Sequence, residues 1–145
     1  EIGVRLVGSE MCIRDSYNGN PKSWYRVDRF LYRVPYEKTP EVYAACDILL
    51  KTSLLESFSY PPLEMMASGG YVVAVPNGGN LEYLKDGENC ILYPQGNLAE
   101  AKAAIERILT DAELRKKLDT GAEETVKERN WKRIEPQILE QYLGK

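Results

Sequence analysis

The stretch Asp47–Pro76, DILLKTSLLESFSYPPLEMMASGGYVVAVP, decides the fold. It begins with DILLKTS (Asp47–Ser53) and ends with YVVAVP (Tyr71–Pro76), two short apolar runs that are typical of buried strands. Between them lie a loop and a run whose apolar residues follow a helical spacing. A strand, a helix and a second strand in this order predict a parallel pair of strands joined by a crossover helix.

The same alternation of strands and helices continues on both sides of this unit. Further strands are predicted at 4–8, 27–34 and 89–94, and helices at 39–47, 80–87, 97–109, 111–128 and 131–143. The helix at 39–47 has Thr39 as its expected cap and Pro40 at its first position. Strands that are apolar on both faces predict one Rossmann-like α/β domain over residues 1–145, a parallel sheet with helices on both faces. Such sheets bind ligands beyond the carboxyl ends of their strands, so the loops after Val34, Ser53 and Pro76 form the candidate site.

Composition excludes several classes of function. The 145 residues suit one domain, and a net charge of -3 with dispersed Lys and Arg argues against nucleic-acid binding. The chain has no histidine, which excludes Ser-His and Cys-His nucleophiles and His-ligated metal sites. The three cysteines, Cys12, Cys46 and Cys90, form no CxxC motif and predict a reduced, cytosolic chain. No apolar run is long enough for a membrane span, and no secretory signal is visible.

The segment GSEMCIRDS at residues 8–16 breaks the alternation. It resembles a translated sequencing adapter of the kind that contaminates assembled reads, and a natural turn after the first strand is the alternative. No function is assigned to it.

Two carboxylates flank the loop inside the opening stretch. Each proline of Pro61–Pro62 removes a backbone donor and disfavours a helical residue before it, so we expect the helix to begin at one of them, with Glu64 in its first turn. On chemistry alone, Glu64 could be an acid favoured by the helix dipole and Glu56 a solvated loop carboxylate. The alternative is an anion site formed by the N–H groups of residues 57–60, just ahead of the helix.

The two acids limit what that anion could be. Carboxylates on both sides of a phosphate would repel it unless each accepts hydrogen bonds from hydroxyl groups. A sugar nucleotide supplies ribose hydroxyls on one side of its diphosphate and hexose hydroxyls on the other.

The run Glu56-Ser-Phe-Ser-Tyr-Pro-Pro-Leu-Glu64 resembles the E-x7-E signature of the retaining GT-B glycosyltransferases of family 4, also called group 1. The flanking text is similar too, with YAACDILLKTS before it and MMASGGYVVAVPNGGNLEYLKDGENCILYP after it. The resemblance covers roughly residues 27–131. It implies that the chain is the C-terminal, donor-binding half of a GT-B fold.

The resemblance implies a role for each residue of the site. Glu64 would accept hydrogen bonds from the ribose, and Glu56, counted as the catalytic residue, would contact the hexose. The amides of Ser57, Phe58, Ser59 and Tyr60 would hold the diphosphate.

Two neighbouring loops complete the implied donor site. Arg33 and Val34 would meet the nucleotide base, largely through their backbone. Gly78 and Gly79 would keep the following loop low beside the donor, with a tight strand–helix turn as the alternative explanation for them.

The implied chemistry is retaining transfer by front-side attack, in which the leaving diphosphate helps to take the acceptor's proton. Such a path needs charge stabilisation on the diphosphate, and no metal or cofactor is expected. The implied function is transfer of a hexosyl group from a nucleotide-diphosphate sugar to a glycan or lipid-linked acceptor in cell-envelope polysaccharide synthesis. We expect a cytoplasmic location, with peripheral association of the full-length protein with the inner face of the membrane.

The N-terminal acceptor half and the family's basic pair are absent from these residues. We therefore expect a fragment that folds but does not transfer sugar alone. A non-catalytic nucleotide-sugar-binding module, completed by a separate acceptor-binding chain, stays open as an alternative. A receiver-like domain is a third possibility, but it would have an acidic cluster at the first strand and would leave Glu56 and Glu64 unexplained.

Overall fold

The computed structural model describes residues 6–7, 31 and 34–144, with only the backbone described at 6–7. The segment 8–16, most of the strand predicted at 27–34, and Arg33 lie outside the described residues.

Four short strands of the described residues form one parallel sheet. They are β1 (Leu6–Val7), β2 (Ile48–Lys51), β3 (Tyr71–Ala74) and β4 (Ile91–Leu92), and they lie in the order β1-β2-β3-β4. In the central pair Ile48 lies opposite Tyr71, and Lys51 opposite Ala74. Every pair is parallel, which confirms the sheet predicted from the order of the elements.

The described helices are α1 (Thr39–Ala44), α2 (Tyr60–Ala67), α3 (Leu98–Thr110), α4 (Ala112–Glu128) and α5 (Trp131–Leu143), with a 3-10 helix at Tyr36–Lys38. The Asp111 side chain accepts from the Leu114 N–H and caps α4 as predicted. Thr39, however, is the first residue of α1 and not its cap, because the 3-10 helix runs directly into α1 and places Lys38 at the cap position. None of the helices within the described ranges is both long and apolar enough to cross a membrane.

Alternate residues of the strands belong to two separate core clusters. Leu49 and Val72 pack with side chains of α1 and α2, whereas Ile48 and Val73 pack with side chains of α3. Helix α4 contributes to both clusters. The alternation of strand side chains between two faces is what makes both faces apolar, and the prediction of helices on both sides is confirmed.

The helix predicted at 80–87 is wrong, because this segment forms turns. Asn80 and Asn89 are both buried. The Asn89 side-chain amide bonds backbone groups that a helix at 80–87 would need, whereas Asn80 bonds backbone groups just ahead of this segment. Asn80 accepts from the Asn77 N–H and donates to the Val75 carbonyl. Asn89 accepts from the Lys85 N–H and donates to the Tyr83 carbonyl. The segment therefore folds back between β3 and β4 without a regular helix.

Candidate functional site

The loop at 52–59 connects the carboxyl end of β2 to α2 and carries Glu56 near its middle. The loop that follows β3 starts at the same edge of the sheet, because β2 and β3 are parallel neighbours. The two loops therefore lie side by side where ligands bind in open α/β sheets.

Helix α2 begins at Tyr60, ahead of both prolines at which its start was predicted. Tyr60 is its first residue and Ser59 its cap, so Glu64 lies in the second turn and not in the first. Pro61 and Pro62 fit inside the first turn because the N–H groups there have no partner within the helix. Because the dipole acts mainly within the first turn, it does not explain why an acid stands at Glu64.

The backbone N–H groups ahead of α2 are not engaged within the described part of the chain. From Ser57 to Tyr60, none donates a hydrogen bond to an acceptor in the part of the chain that the structure describes. Ser59 has φ 69° and ψ 77°, in the left-handed region that a non-glycine residue rarely adopts. Unengaged N–H groups at a helix N-terminus favour an anion, as the sequence predicts for this place.

Tyr83 holds the strained residue in place. Its buried hydroxyl donates to the Ser59 carbonyl, and burial raises the pKa of Tyr83, so the hydroxyl stays protonated. The Phe58 ring packs between two others, 5.4 Å from Tyr83 and 5.0 Å from Tyr60 between ring centroids. The side chains of this loop thus anchor it to the core, while Ser57 and Tyr60 remain exposed.

Glu56 forms an internal ion pair with Lys51 and is not a solvated carboxylate. Its Oε1 contacts the Lys51 Nζ, and its side chain is 10% exposed while that of Lys51 is fully buried. Burial raises the pKa of Glu56, but Lys51 and the nearby hydroxyls of Ser59 and Ser53 together outweigh it and hold the pKa below its ordinary value. The carboxylate is therefore ionised at neutral pH.

Glu64 is placed quite differently. Its side chain is half-buried on α2 and makes no hydrogen bond or ion pair with any residue that the structure describes. Its carbonyl accepts from the Ser68 N–H and hydroxyl, so only its backbone is engaged. A carboxylate in this state can accept hydrogen bonds from a ligand.

Gly79 lets the second loop approach the first. A Cβ at Gly79 would lie 2.8 Å from the carbonyl carbon of Ser57 and closer still to the Glu56 carbonyl oxygen. Asn77 adds a direct link, because its side chain donates to the Ser53 carbonyl and accepts from the Gly79 N–H. A Cβ at Gly78 would meet nothing within 4 Å, so packing does not require a glycine there.

The residues predicted to meet the base are only partly described. Val34 is half-buried and lies just before the 3-10 helix, and Arg33 is outside the described residues. Within the ranges that are described, no group of three or more Asp, Glu or Cys side chains could hold a metal ion.

Sequence reasoning missed three residues that shape the site, namely Lys51, Asn77 and Tyr83. Lys51 had a visible signal, since it is a charged residue at the end of an otherwise apolar strand. A buried lysine needs a partner, and Glu56 is the first acid that follows it along the chain. Asn77 and Tyr83 carry no such signal, because their partners are backbone carbonyls 24 residues away.

Comparison with known proteins identifies the family. The model of the family described as glycosyl transferases group 1 matches residues 28–125. The chain is 35% identical over 114 residues to the O-antigen biosynthesis protein RfbC of Myxococcus xanthus, covering 77% of this chain and 9% of that protein. It is 33% identical over 116 residues to the D-inositol 3-phosphate glycosyltransferase of Geodermatophilus obscurus, covering 80% and 25% respectively.

A solved structure supports the same assignment. The Anabaena protein HepE in complex with UDP superimposes with a TM-score of 0.68 at 28% identity, covering 74% of this chain and 30% of HepE. HepE in complex with UDP-glucose superimposes with a TM-score of 0.66 at 29% identity. The chain thus spans less than a third of each of these relatives. It belongs to the glycosyl transferases group 1 family, that is, family 4 of the GT-B glycosyltransferases, and matches the C-terminal portion of these enzymes.

Proposed function

We propose that this chain is the donor-binding domain of a glycosyltransferase that takes a hexosyl group from a nucleotide-diphosphate sugar. The observation that carries the proposal is the loop between β2 and α2. It sets unengaged N–H groups between two carboxylates at the carboxyl edge of a parallel sheet. The similarity to HepE, which was crystallised with UDP and with UDP-glucose, favours a donor of this class.

Each part of the site has a proposed partner on the donor. The N–H groups of residues 57–60 hold the diphosphate, supported by their freedom from internal acceptors. Glu64 accepts from the ribose hydroxyls, and Glu56 accepts from the hexose. Val34 and Arg33 meet the base. Gly79 allows the loop after β3 to pack closely against the Glu56 loop beside the donor, and Gly78 belongs to the same loop.

The proposed chemistry needs little from the protein beyond positioning. Negative charge develops on the diphosphate as its bond to the hexose breaks, and preorganised N–H donors stabilise that charge. The front-side path then uses the leaving phosphate to take the acceptor's proton, so no side chain of the described residues has to act as a general base.

The proposed class of acceptor comes from the relatives to which the chain is similar. RfbC is named for O-antigen biosynthesis, and the Geodermatophilus obscurus enzyme for glycosyl transfer to an inositol phosphate. We favour a glycan or lipid-linked acceptor of the cell envelope. A full-length protein with such an acceptor would work at the inner face of the membrane.

Calorimetry with UDP, UDP-glucose and their GDP counterparts tests the assignment. Glu64→Ala should weaken the binding of both the free nucleotide and its sugar conjugate by about tenfold, the loss expected for hydrogen bonds to a charged group. Glu56→Ala should weaken only the sugar conjugate and spare the free nucleotide.

Glu106→Ala is the matched control, because this exposed glutamate lies on α3, which packs on the other face of the sheet from α2. It should leave all affinities unchanged. Equal nucleotide binding by the original chain and by Glu64→Ala would remove the ribose assignment.

A further inference from the structure

Lys51 is a charged residue in a place built for apolar ones. It ends β2 opposite Ala74, and its side chain is fully buried. Lysine is almost never buried completely unless it is paired, because removing an ammonium group from water is costly. The residue that pairs with it is Glu56, five positions along the chain.

The two oxygens of the Glu56 carboxylate are in different states. Oε1 contacts the Lys51 ammonium group. Oε2 is buried as well and makes no hydrogen bond of ordinary geometry with the residues that the structure describes, although the Ser53 and Ser59 hydroxyls lie close enough to help lower the pKa of the carboxyl group. A buried acceptor without a donor is unusual in a folded protein, and a ligand hydroxyl is one group that would satisfy it.

The loop backbone is held by several contacts that do not involve this ion pair. Asn77 bonds the Ser53 carbonyl, Gly79 packs against the Glu56 and Ser57 backbone, and Tyr83 bonds the Ser59 carbonyl. These contacts support the loop before, at and after Glu56. The ion pair therefore acts mainly on the direction of one side chain.

We propose that Lys51 is a positioning residue for hexose recognition. By holding Oε1 of Glu56, it leaves Oε2 as the acceptor for a hydroxyl of the donor's sugar. The inference rests on the proposed function, since it takes Glu56 as the group that contacts the hexose. The inference extends the proposed function by giving Lys51 a part in the sugar contact. The lysine orients the Glu56 carboxylate and does not itself touch the donor.

The test compares UDP with UDP-glucose as probes, titrated into the 145-residue chain and its variants. Lys51→Met keeps the length of the side chain but removes the charge. It should change the affinity for UDP by less than about twofold and weaken UDP-glucose by about tenfold, the loss of one charge-assisted contact. Glu56→Gln should give the same split. Lys51→Arg, which keeps the charge, should retain most of the difference between the two probes.

The double variant Lys51→Met/Glu56→Gln shows whether Lys51 orients the Glu56 side chain or supports the site in some other way. If Lys51 acts only through Glu56, the double variant should bind UDP-glucose no more weakly than either single variant. Additive losses, or equal weakening of UDP and UDP-glucose by Lys51→Met, would overturn the inference. The double variant removes both charges of the pair. If Lys51→Met fails to fold, Lys51→Gln takes its place, and a preference for UDP-glucose in Lys51→Gln equal to that of the original chain overturns the inference.

The experiment distinguishes the inference from the function on which it rests. Failure of the original chain to bind either probe would count against the proposed donor site as a whole. Normal binding by the original chain, together with unchanged UDP-glucose binding by Lys51→Met, would overturn the role of Lys51 alone.

Discussion

At the scale of single residues, the two glutamates of the E-x7-E run are not equivalent. Glu56 is nine-tenths buried and paired with Lys51, whereas Glu64 makes no side-chain bond within the described part of the chain. The sequence shows two identical acids around a turn. What separates them is the burial of Lys51, which pairs with the Glu56 carboxylate and not with that of Glu64.

The ion pair makes stability depend on pH in a defined direction. The pKa of Glu56 is held below its ordinary value of 4.5 in the folded chain. Its contribution to the free energy of unfolding is therefore complete above about pH 4.5, and it is lost as the pH falls through the lower, folded-state pKa. We expect Glu56→Gln to cost about 3 kcal/mol at neutral pH, since it breaks a buried pair.

Chemical denaturation at a series of pH values measures this effect. The difference in unfolding free energy between the original chain and Glu56→Gln should be constant near neutrality and shrink as the pH falls below about 4.5. A difference that stays the same down to strongly acidic pH would mean that Glu56 does not titrate as part of the pair.

At the scale of elements, the site is held together by contact between two loops. The loop after β3 lies against the loop after β2, and Gly79 is the point of closest approach. The sequence predicts both loops at the ligand end of the sheet. It does not predict the contact between them, because the partners are distant along the chain and the contact is with backbone atoms.

Gly79→Ala should be strongly destabilising and Gly78→Ala should not. The added methyl group at Gly79 would collide with the backbone of Glu56 and Ser57, and backbone cannot move aside as a flexible side chain can. We expect a loss of about 2–3 kcal/mol in unfolding free energy for Gly79→Ala. The same methyl group at Gly78 meets open space, so its effect should stay within about 0.5 kcal/mol.

Thermal or urea unfolding of the two variants gives the comparison directly. Because the substitution is the same and the positions are adjacent, effects on the unfolded chain largely cancel. Similar losses from both variants would contradict the packing of the two loops described above.

At the scale of the whole molecule, the part of the chain that the structure describes forms a four-stranded parallel sheet covered on both faces. The chain spans 9% of RfbC and 30% of HepE. The described site residues are all assigned to the donor, and none is assigned to hold an acceptor. Transfer requires the acceptor hydroxyl to be held close to the reacting carbon. A domain can therefore bind a donor without catalysing transfer from it.

We expect the 145-residue chain alone to bind UDP-glucose without transferring or releasing glucose at an enzymatic rate. A coupled assay for UDP release, run with and without envelope glycan extracts, measures this. Glu64→Ala is the control, because release that persists in this variant would come from a contaminating enzyme. Release that needs Glu64 and continues over many turnovers would show that the chain is active by itself.

The sequence by itself determined the class of the fold and which loops form the candidate site. The period of apolar residues depends on local geometry, so DILLKTS, YVVAVP and the cap at Asp111 were readable as strands and a helix start. Local reasoning was wrong at 80–87 and at the start of α2. In the first case the buried Asn89 side chain competes for backbone groups of the segment, and in the second two prolines fit where no donor is needed.

Only the tertiary structure decided how the site is assembled. The burial of Lys51, the left-handed Ser59 and the approach of Gly79 depend on strands and loops that meet across the fold. The physical reason is that burial and close packing are set by neighbours in space, whereas periodicity and capping are set by neighbours along the chain. The sequence could thus name Glu56 and Glu64 together, and the fold alone could give them different surroundings.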